Sequence, residues 1–446
     1  MLRADMNWLV ANKERGSRLI KLIEKYKNKK ERDRIDSEYS CLPRLYEDGL
    51  KFGVAVSAVS ESGDYKEEIG NPVKEALIKR CFNSLTPENE MKPAYRFDPV
   101  VEPLFRCNRS LKRILDFAKN NHFTVRGHCL VWYKQTDPRI FCKNYEAYSD
   151  GSLTTSHSAV LDEECLVSRD ELIKRMRRYI RGVFEFVYRY GYADTVYAYD
   201  VVNEANDADL PNRKYMDYWH HIIGPEYVYL AFLFAREAIA DYSKEYADIY
   251  GIDQEDTEAL KRIRPLLFYN EHFEWEDYFH DRVLKLLTET SFNPGQQLYR
   301  SNVISENGNG TLLADGLVDG IGLQGHIRTS TDLHKYEKCL YEYGEKIGLI
   351  HVTELDVNRK EKPGADCSDI YRDYIRVIRS ARENGVPITS VTMWGLTDNR
   401  SWLGNNGSLL FDEYSKPKKE FYAVYDGQQK IRNSYSGDIQ GSSGKI

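Results

Sequence analysis

Two carboxylates stand close together in segment 351–357, whose sequence is His-Val-Thr-Glu-Leu-Asp-Val. This short apolar segment is predicted to be a β-strand, in which alternate side chains point to the same face, so Glu354 and Asp356 share one face. A second apolar segment ends in Asn203 and Glu204. Paired carboxylates can carry general acid and base catalysis, and we predict that Glu204 and Glu354 face each other across one pocket.

The overall composition indicates a soluble globular protein. Hydrophobic residues make up 41% of the 446-residue chain, and no apolar run approaches the roughly 20 residues of a membrane span. The formal net charge is -6, whereas nucleic-acid-binding domains usually carry a basic face. We therefore expect neither a nucleic-acid nor a membrane partner, and the sequence leaves the oligomeric state open.

The cysteines and the N-terminus bear on cellular location and on cofactors. Eight cysteines occur without a Cys-x-x-Cys pair or a zinc-type spacing, which favours reduced structural thiols. The first predicted strand lacks a His-x-His motif, and we expect neither a metal ion nor another cofactor. Arg3 and Asp5 lie where a secretory signal would have its apolar core. We predict a cytoplasmic protein, or a secreted one if the sequence was trimmed.

Short apolar segments alternate with longer helical patterns from about residue 50 onward. Strand–helix alternation predicts a parallel sheet, and eight such units favour the α/β class and a (β/α)8 TIM barrel. A doubly wound open sheet is the alternative, although no Gly-x-Gly-x-x-Gly motif follows the first strand. The predicted strands are 52–56, 81–84, 123–128, 196–202, 266–269, 318–323, 349–352 and 388–393. The predicted helices are 111–120, 169–190, 227–241, 277–289, 333–347 and 368–384.

The chain is predicted to have three regions. Residues 1–45 form an N-terminal helical extension, whose apolar stripe at 19–26 packs on the barrel. Residues 46–430 form the catalytic barrel. Residues 431–446 form a flexible tail rich in glycine and serine.

Two longer segments separate predicted elements of the barrel. Residues 136–168 form a long insertion after the third strand, and we place it at the barrel mouth because loops of this length usually serve function. Residues 243–264 are highly charged and are predicted to form a surface helix before the fifth strand.

Polar and aromatic residues follow six of the predicted strands, at the carboxyl ends where barrel enzymes place their active sites. Taken alone, each cluster has a structural explanation, such as a helix cap, a buried histidine or a core tryptophan. Six clusters at six strand ends are better explained by one shared site. In chain order the clusters contain Glu88, Asn89 and Lys92, then His128, Trp132 and Gln135, then Asn203 and Glu204, then Gln324 and His326, then Glu354 and Asp356, and finally Trp394 and Trp402.

These clusters resemble the motifs of glycoside hydrolase family 10, the endo-β-1,4-xylanases. The similar motifs follow the family's order over about residues 42–427, and such an ordered set is far more specific than any single motif. They are Glu-Asn-Glu-Met-Lys at 88–92, Gly-His-Cys-Leu-Val-Trp at 127–132, Asp-Val-Val-Asn-Glu-Ala at 200–205, Gly-Ile-Gly-Leu-Gln-Gly-His at 320–326, Thr-Glu-Leu-Asp-Val at 353–357 and Met-Trp-Gly-Leu-Thr-Asp at 393–398.

The resemblance implies a retaining endo-β-1,4-xylanase that hydrolyses xylan or xylo-oligosaccharides by double displacement. It implies that Glu204 is the acid/base and Glu354 the nucleophile. It also implies that the glycone side of the cleft is lined by Glu88, Asn89, Lys92, His128, Trp132, Gln135, Asn203, Gln324, His326, Trp394 and Trp402.

The chemistry of glycoside cleavage agrees with these roles. Two carboxylates roughly 5 to 5.5 Å apart allow a covalent glycosyl-enzyme and retention of configuration. Glu354 must be ionised to attack the sugar, and its charge is expected to raise the pKa of Glu204. We expect His326 to donate a hydrogen bond to Glu354 and Asp356 to orient the imidazole. Asn203 would bind the sugar 2-OH.

Other features set the limits of the resemblance. Tyr133, Arg139 and His272 depart from the family pattern, as does the stretch 205–218, which borders the leaving-group side. We expect Trp394 and Trp402 to floor the pocket, and a tryptophan wall near C5 would favour xylose over glucose. The alternatives are a β-1,4-glucanase or another retaining barrel glycosidase, a non-catalytic polysaccharide-binding barrel, and a metal hydrolase.

Overall fold

The computed structural model describes residues 29–46, 49–58, 67–206, 217–291, 310–359 and 366–429, together with Val303 and Gly364. Within these residues, eight strands of one sheet alternate with helices. The strands are β1 (Lys51–Val56), β2 (Ser84–Pro87), β3 (Thr124–Trp132), β4 (Val196–Asn203), β5 (Leu266–Glu271), β6 (Gly320–Leu323), β7 (Leu349–Asn358) and β8 (Ile388–Met393). The helices that cover them are α1 (Pro72–Cys81), α2 (Arg109–Asn120), α3 (Arg169–Arg189), α4 (Tyr227–Tyr250), α5 (Asp277–Thr288), α6 (Leu333–Lys346), α7 (Ser368–Glu383) and α8 (Lys419–Gln428).

The sheet closes on itself. Neighbouring strands pair in parallel, and β8 pairs with both β1 and β7. Ser390 of β8 lies opposite Lys51 on one side and opposite His351 on the other. A closed ring of eight parallel strands inside a layer of helices is a (β/α)8 TIM barrel, and the predicted fold class is confirmed.

Shorter elements decorate the barrel. The helix Lys29–Tyr39 lies against α1, where Lys79 Nζ is 3.1 Å from the carboxylate of Asp36. The predicted stripe at 19–26 and the tail 431–446 lie outside the described residues. The other short helices are Pro93–Arg96, Tyr218–Ile223 and Thr257–Ile263, with 3-10 helices at Pro138–Phe141, Lys143–Tyr145, Glu163–Cys165 and Asp398–Arg400. The short strands are Tyr148–Ser149, Ser152–Leu153 and His326–Arg328.

The second strand begins later than the sequence predicted. The side chain of Asn71 accepts hydrogen bonds from the backbone N–H groups of Val73 and Lys74, which caps the first turn of α1. The helix then continues to Cys81. Cys81 is therefore a buried helical residue, and its placement in a strand was wrong. All eight cysteines are free thiols in the structure.

Helix α4 is longer than predicted. The sequence placed its end at residue 241 and a separate surface helix at 243–264. The helix continues to Tyr250, where Gly251 adopts a φ of 66° and ends it with a left-handed cap. Within the predicted surface helix 243–264, the structure has a separate helix only at Thr257–Ile263.

A buried ion pair fills the barrel interior below the carboxyl ends of the strands. The guanidinium of Arg126 contacts the carboxylate of Asp200, with Nε 3.2 Å from Oδ2, and lies 4.7 Å from the ring of Phe268. Arg126 also contacts Nδ1 of His351. Burial and the Arg126 charge hold the pKa of His351 well below its ordinary value, which makes this imidazole a neutral acceptor. The pair gives the barrel a polar floor.

Replacement of Arg126 by methionine is expected to destabilise the barrel by about 3–5 kcal/mol, because it takes the guanidinium away from the buried carboxylate of Asp200 and leaves only the contact with Nδ1 of His128 at 3.0 Å. Equilibrium urea unfolding measures the free energy of unfolding. The control is Arg181→Met, which removes a half-exposed partner of Asp241 and should cost at most about 1 kcal/mol. Equal losses in the two variants would contradict a structural role for the interior pair.

Candidate active site

One cleft at the carboxyl ends of the strands contains the predicted site. Its volume is about 540 Å³. All the residues predicted for catalysis and substrate contact line it, namely Glu88, Asn89, Lys92, His128, Trp132, Gln135, Asn203, Glu204, Gln324, His326, Glu354, Trp394 and Trp402. Asp356 is fully buried behind His326 and supports the cleft from below. The structure therefore brings the residues of six strand ends together.

Glu354 lies on β7 and is held as a carboxylate. Its Oε1 accepts a 2.8 Å hydrogen bond from Nδ2 of Asn270, and its Oε2 lies 3.3 Å from Nε2 of His326. Burial alone would raise the pKa of Glu354. The hydrogen bond from His326 and the charges of His128 and His326 outweigh burial, so the pKa lies below its ordinary value. Glu354 is therefore ionised at neutral pH, as attack on a sugar carbon requires.

His326 lies between two carboxylates, Glu354 and Asp356. Its Nδ1 lies 2.9 Å from Oδ1 of Asp356, while Nε1 of Trp402 donates a 2.7 Å hydrogen bond to Oδ2 of the same carboxylate. Burial lowers the pKa of His326, but Asp356 and Glu354 raise it well above its ordinary value. The imidazole is therefore a cation that can donate to both acids, and the predicted contacts of Asp356 and His326 are present.

Glu204 follows β4 at a φ of 54°, in the left-handed region that only a few per cent of non-glycine residues adopt. Its Oε2 accepts hydrogen bonds from Nε1 of Trp132 at 3.1 Å and from Nζ of Lys134 at 2.9 Å. Its Oε1 accepts one from Nε2 of Gln324 at 3.0 Å. Nδ1 of His272 lies 3.9 Å from the same oxygen.

The electrostatic environment of Glu204 differs from the one predicted. The sequence predicted a raised pKa because of the Glu354 charge. Burial does raise the pKa, but Lys134, His272 and Gln324 lower it more strongly, to about 2. The imidazole of His272 is itself a cation, since Glu271 and Glu204 together raise its pKa to about 9 against the effect of burial. The predicted direction was wrong because two cations lie within 4 Å of the carboxylate oxygens.

Sequence reasoning missed several residues that line this cleft or lie directly below it. Asn270 is the most important, because its amide joins Glu354 to Oδ1 of Asn203 at 2.8 Å, and Thr353 fixes that amide by donating to its Oδ1 at 2.7 Å. A strand prediction that ran beyond residue 269 would have pointed Asn270 into the barrel. The other residues of the cleft that were not predicted to contact substrate are Lys134, His272, Phe273, Arg328 and Asn358.

The side chains that were predicted to line the glycone side form a network of polar and aromatic contacts. Nζ of Lys92 donates to Oε1 of Gln135 at 2.6 Å and to Oδ1 of Asn89 at 3.2 Å, and lies 5.1 Å from the centre of the Trp132 ring system. Burial lowers the pKa of Lys92. Such fixed donors and acceptors beside aromatic faces suit sugar hydroxyls and the apolar faces of sugar rings.

Within the described ranges, no group of three or more His, Cys, Asp or Glu side chains is arranged to hold a metal ion. Among the helices that the structure describes, none is long and apolar enough to span a bilayer.

The fold is a (β/α)8 barrel, and its cleft contains two glutamates that could carry acid and base catalysis. One of them, Glu354, lies on β7, and the other, Glu204, directly follows β4. Residues 43–266 and 296–427 match the model of Glycosyl hydrolase family 10. The match covers most of the chain, and the chain belongs to this family. The resemblance stated from the sequence motifs is confirmed.

Relatives of known name agree with this assignment. Endo-1,4-beta-xylanase A of Caldicellulosiruptor sp. (strain Rt8B.4) is 32% identical over 403 residues, which cover 88% of this chain and 48% of the relative. Endo-1,4-beta-xylanase A of Thermotoga maritima is 28% identical over 402 residues, which cover 87% of this chain and 31% of the relative. The chain thus spans 31% and 48% of the length of these two relatives.

Two solved structures superpose on the barrel. A psychrophilic glycoside hydrolase family 10 endo-beta-1,4-xylanase is 27% identical with a TM-score of 0.60, covering 85% of this chain and 97% of its own. A variant structure in complex with xylotriose is 25% identical with a TM-score of 0.59, covering 86% of this chain and 99% of its own.

Replacement of His326 by glutamine is expected to raise the pKa of Glu354 by about one unit or more, because the neutral amide lacks the charge that favours the carboxylate. The carboxyl therefore takes up its proton at a higher pH than in the parent protein. Carbon-13 NMR of protein labelled at the glutamate carboxyl carbons measures this, with the Glu354 signal assigned by its loss in Glu354→Gln.

The matched control is His280→Gln, since His280 pairs with Glu342 at 3.0 Å between α5 and α6, away from the cleft. The control should leave the Glu354 titration unchanged. A Glu354 midpoint that is the same in His326→Gln and in the parent protein would refute the role assigned to the imidazolium.

Proposed function

We propose that this protein is a retaining endo-1,4-β-xylanase that hydrolyses xylan or xylo-oligosaccharides through a covalent glycosyl-enzyme. The observation that carries the proposal is that two glutamates line one cleft and have different partners. Glu354 lies against His326 and accepts a hydrogen bond from Asn270, whereas Glu204 accepts hydrogen bonds from Lys134, Trp132 and Gln324. Family membership supports it, because the named relatives are endo-1,4-beta-xylanases.

In the first step, a carboxylate oxygen of Glu354 attacks the anomeric carbon of the sugar bound on the glycone side. The bond from that carbon to the leaving oxygen breaks, and Glu204 donates a proton to the oxygen as it leaves. Asn203 lies beside Glu204, and its Oδ1 is fixed by Asn270, so its side chain can bind the 2-OH of the reacting sugar. Glu354 is then esterified and neutral.

In the second step, water attacks the anomeric carbon and releases Glu354 as a carboxylate. Glu204, now ionised, accepts a proton from that water, which returns both acids to their starting states. Two displacements at one carbon restore the original configuration. The cations beside Glu204 favour the carboxylate that this step uses.

Two tryptophans bear on the sugar that fits. The ring of Trp394 lies edge-on to His128 with centroids 5.3 Å apart, Trp402 lies 5.1 Å from His326, and both indoles line the cleft. A wall of this kind leaves little room for the hydroxymethyl arm that distinguishes glucose from xylose. The proposal therefore favours xylan over β-glucan.

Replacement of Glu354 by glutamine is expected to reduce turnover of xylan and of 2,4-dinitrophenyl β-xylobioside to background, because the nucleophile is lost. Glu204→Gln should reduce turnover of xylan by about 10²–10⁴-fold, because its leaving oxygen needs a proton. The glycosylation step on the dinitrophenyl substrate should persist in Glu204→Gln, since dinitrophenolate leaves unaided. Reducing-sugar release and the burst of dinitrophenolate measure the two cases.

The matched control is Glu146→Gln, an exposed acid in the insertion after β3, which should keep parental rates on both substrates. Wild-type rates for Glu354→Gln would sink the proposed mechanism. Faster release of sugar from β-glucan than from xylan would instead overturn the substrate and leave the mechanism in place.

A further inference from the structure

Glu204, the proposed proton donor, forms an ion pair with the ammonium group of Lys134. Nζ of Lys134 lies 2.9 Å from Oε2 of Glu204, on the same oxygen that accepts from Trp132. The Lys134 side chain is 38% exposed, and its ammonium lies 5.1 Å from the Tyr133 ring centre and 5.6 Å from that of Trp132. The ion pair therefore forms at the rim of the cleft, where solvent and substrate both have access to the ammonium.

The charges that surround Glu204 come from several elements. Lys134 lies in the loop after β3, His272 follows β5, and Glu354 lies on β7. Glu271 at the end of β5 pairs with His272 at 3.0 Å. The remaining titratable side chains that line the cleft are Glu88, Lys92, His128, His326 and Arg328. Of all these groups, Lys134 makes the shortest ion pair with Glu204.

A cation in this position has opposite effects on the two steps. It stabilises the carboxylate form of Glu204, which the second step uses as a base. It disfavours the protonated form, which the first step uses as an acid. Leaving groups that need full protonation therefore meet a larger barrier than leaving groups that depart unaided.

We propose that Lys134 is a positioning residue that acts through Glu204, biasing it towards the carboxylate and so setting the upper pH limit for cleavage of bonds that need acid assistance. This inference rests on the proposed function. It concerns Lys134 alone, because Trp132 and Gln324 are neutral donors and His272 divides its charge between Glu271 and Glu204.

Replacement of Lys134 by glutamine is expected to raise the pKa of Glu204 and to move the basic limb of the pH profile upward by at least one unit. The profile is that of kcat/KM for methyl β-xylobioside, whose alcohol leaving group needs a proton, and kcat/KM reports groups of the free enzyme. Above the limb, one pH unit corresponds to about a tenfold higher kcat/KM in the variant. The dinitrophenyl substrate should show no such gain.

Two further variants give this test its controls. Lys134→Arg keeps the charge and should keep the parental limb. Lys112→Gln removes a cation from a pair with Asp116 on the surface of α2, at 2.6 Å, and should leave the profile unchanged. An unchanged limb in Lys134→Gln, or equal shifts in the glutamine and arginine variants, would overturn the inference.

A second measurement works without turnover. Carbon-13 NMR titration of the Glu204 carboxyl, assigned by its loss in Glu204→Gln, should give a higher midpoint in Lys134→Gln than in the parent protein. If the parent fails to cleave any xyloside, the proposed function falls while this titration still decides the role of Lys134. If the parent is active and the midpoint does not move, the inference fails and the proposed function stands.

Discussion

The site depends on one electrostatic constraint, which is that two carboxylates are buried in one cleft and each must be compensated by its own partners. An unpaired buried charge costs several kcal/mol even after relaxation. The barrel meets this cost for Glu354 with an imidazolium and an amide, His326 and Asn270. It meets the cost for Glu204 with an ammonium at the rim, Lys134, and two neutral donors. The acids are therefore chemically distinct before any substrate binds.

The register of the barrel brings these partners together. Asn203 of β4 lies opposite Asn270 of β5, which in turn lies opposite Gly322 of β6. A Cβ at residue 322 would lie 2.3 Å from Oδ1 of Asn270, so only glycine leaves room for that amide. Below this layer, the ion pair of Arg126 and Asp200 fills the interior. The fold thus supplies rigid positions on four strands, and the loops supply the groups that tune them.

Much of this arrangement was predictable from the sequence. Alternating apolar and helical segments predicted seven of the barrel strands approximately, and 388–393 with both ends correct, whereas the second strand was placed three residues early. Carboxyl ends of parallel strands meet at one rim, so residues that follow different strands were predicted to share one site, and they do. Family membership followed from the same motifs. The predicted cytoplasmic location was not tested by the fold or the comparisons and stays a prediction.

The errors have local physical causes. Cys81 was placed in a strand because its apolar neighbours resemble a strand although they belong to the last turn of α1, and Asn270 was missed because strand five was ended two residues early. The pKa of Glu204 was predicted in the wrong direction because the path of a loop decides where a long side chain such as Lys134 reaches. Sequence spacing fixes the strand-borne residues of a barrel, whereas cations carried by loops emerge only from the folded chain.

The most direct test of the account is to trap the covalent intermediate on the enzyme. A 2-deoxy-2-fluoro-β-xylobioside with a dinitrophenolate leaving group slows both steps but the second more, so the glycosyl-enzyme accumulates. Mass spectrometry of the intact protein and of its peptides should find one xylobiosyl label, carried by Glu354. A label on any other residue, or steady turnover to a product of inverted configuration with no labelled protein, would contradict the central claim.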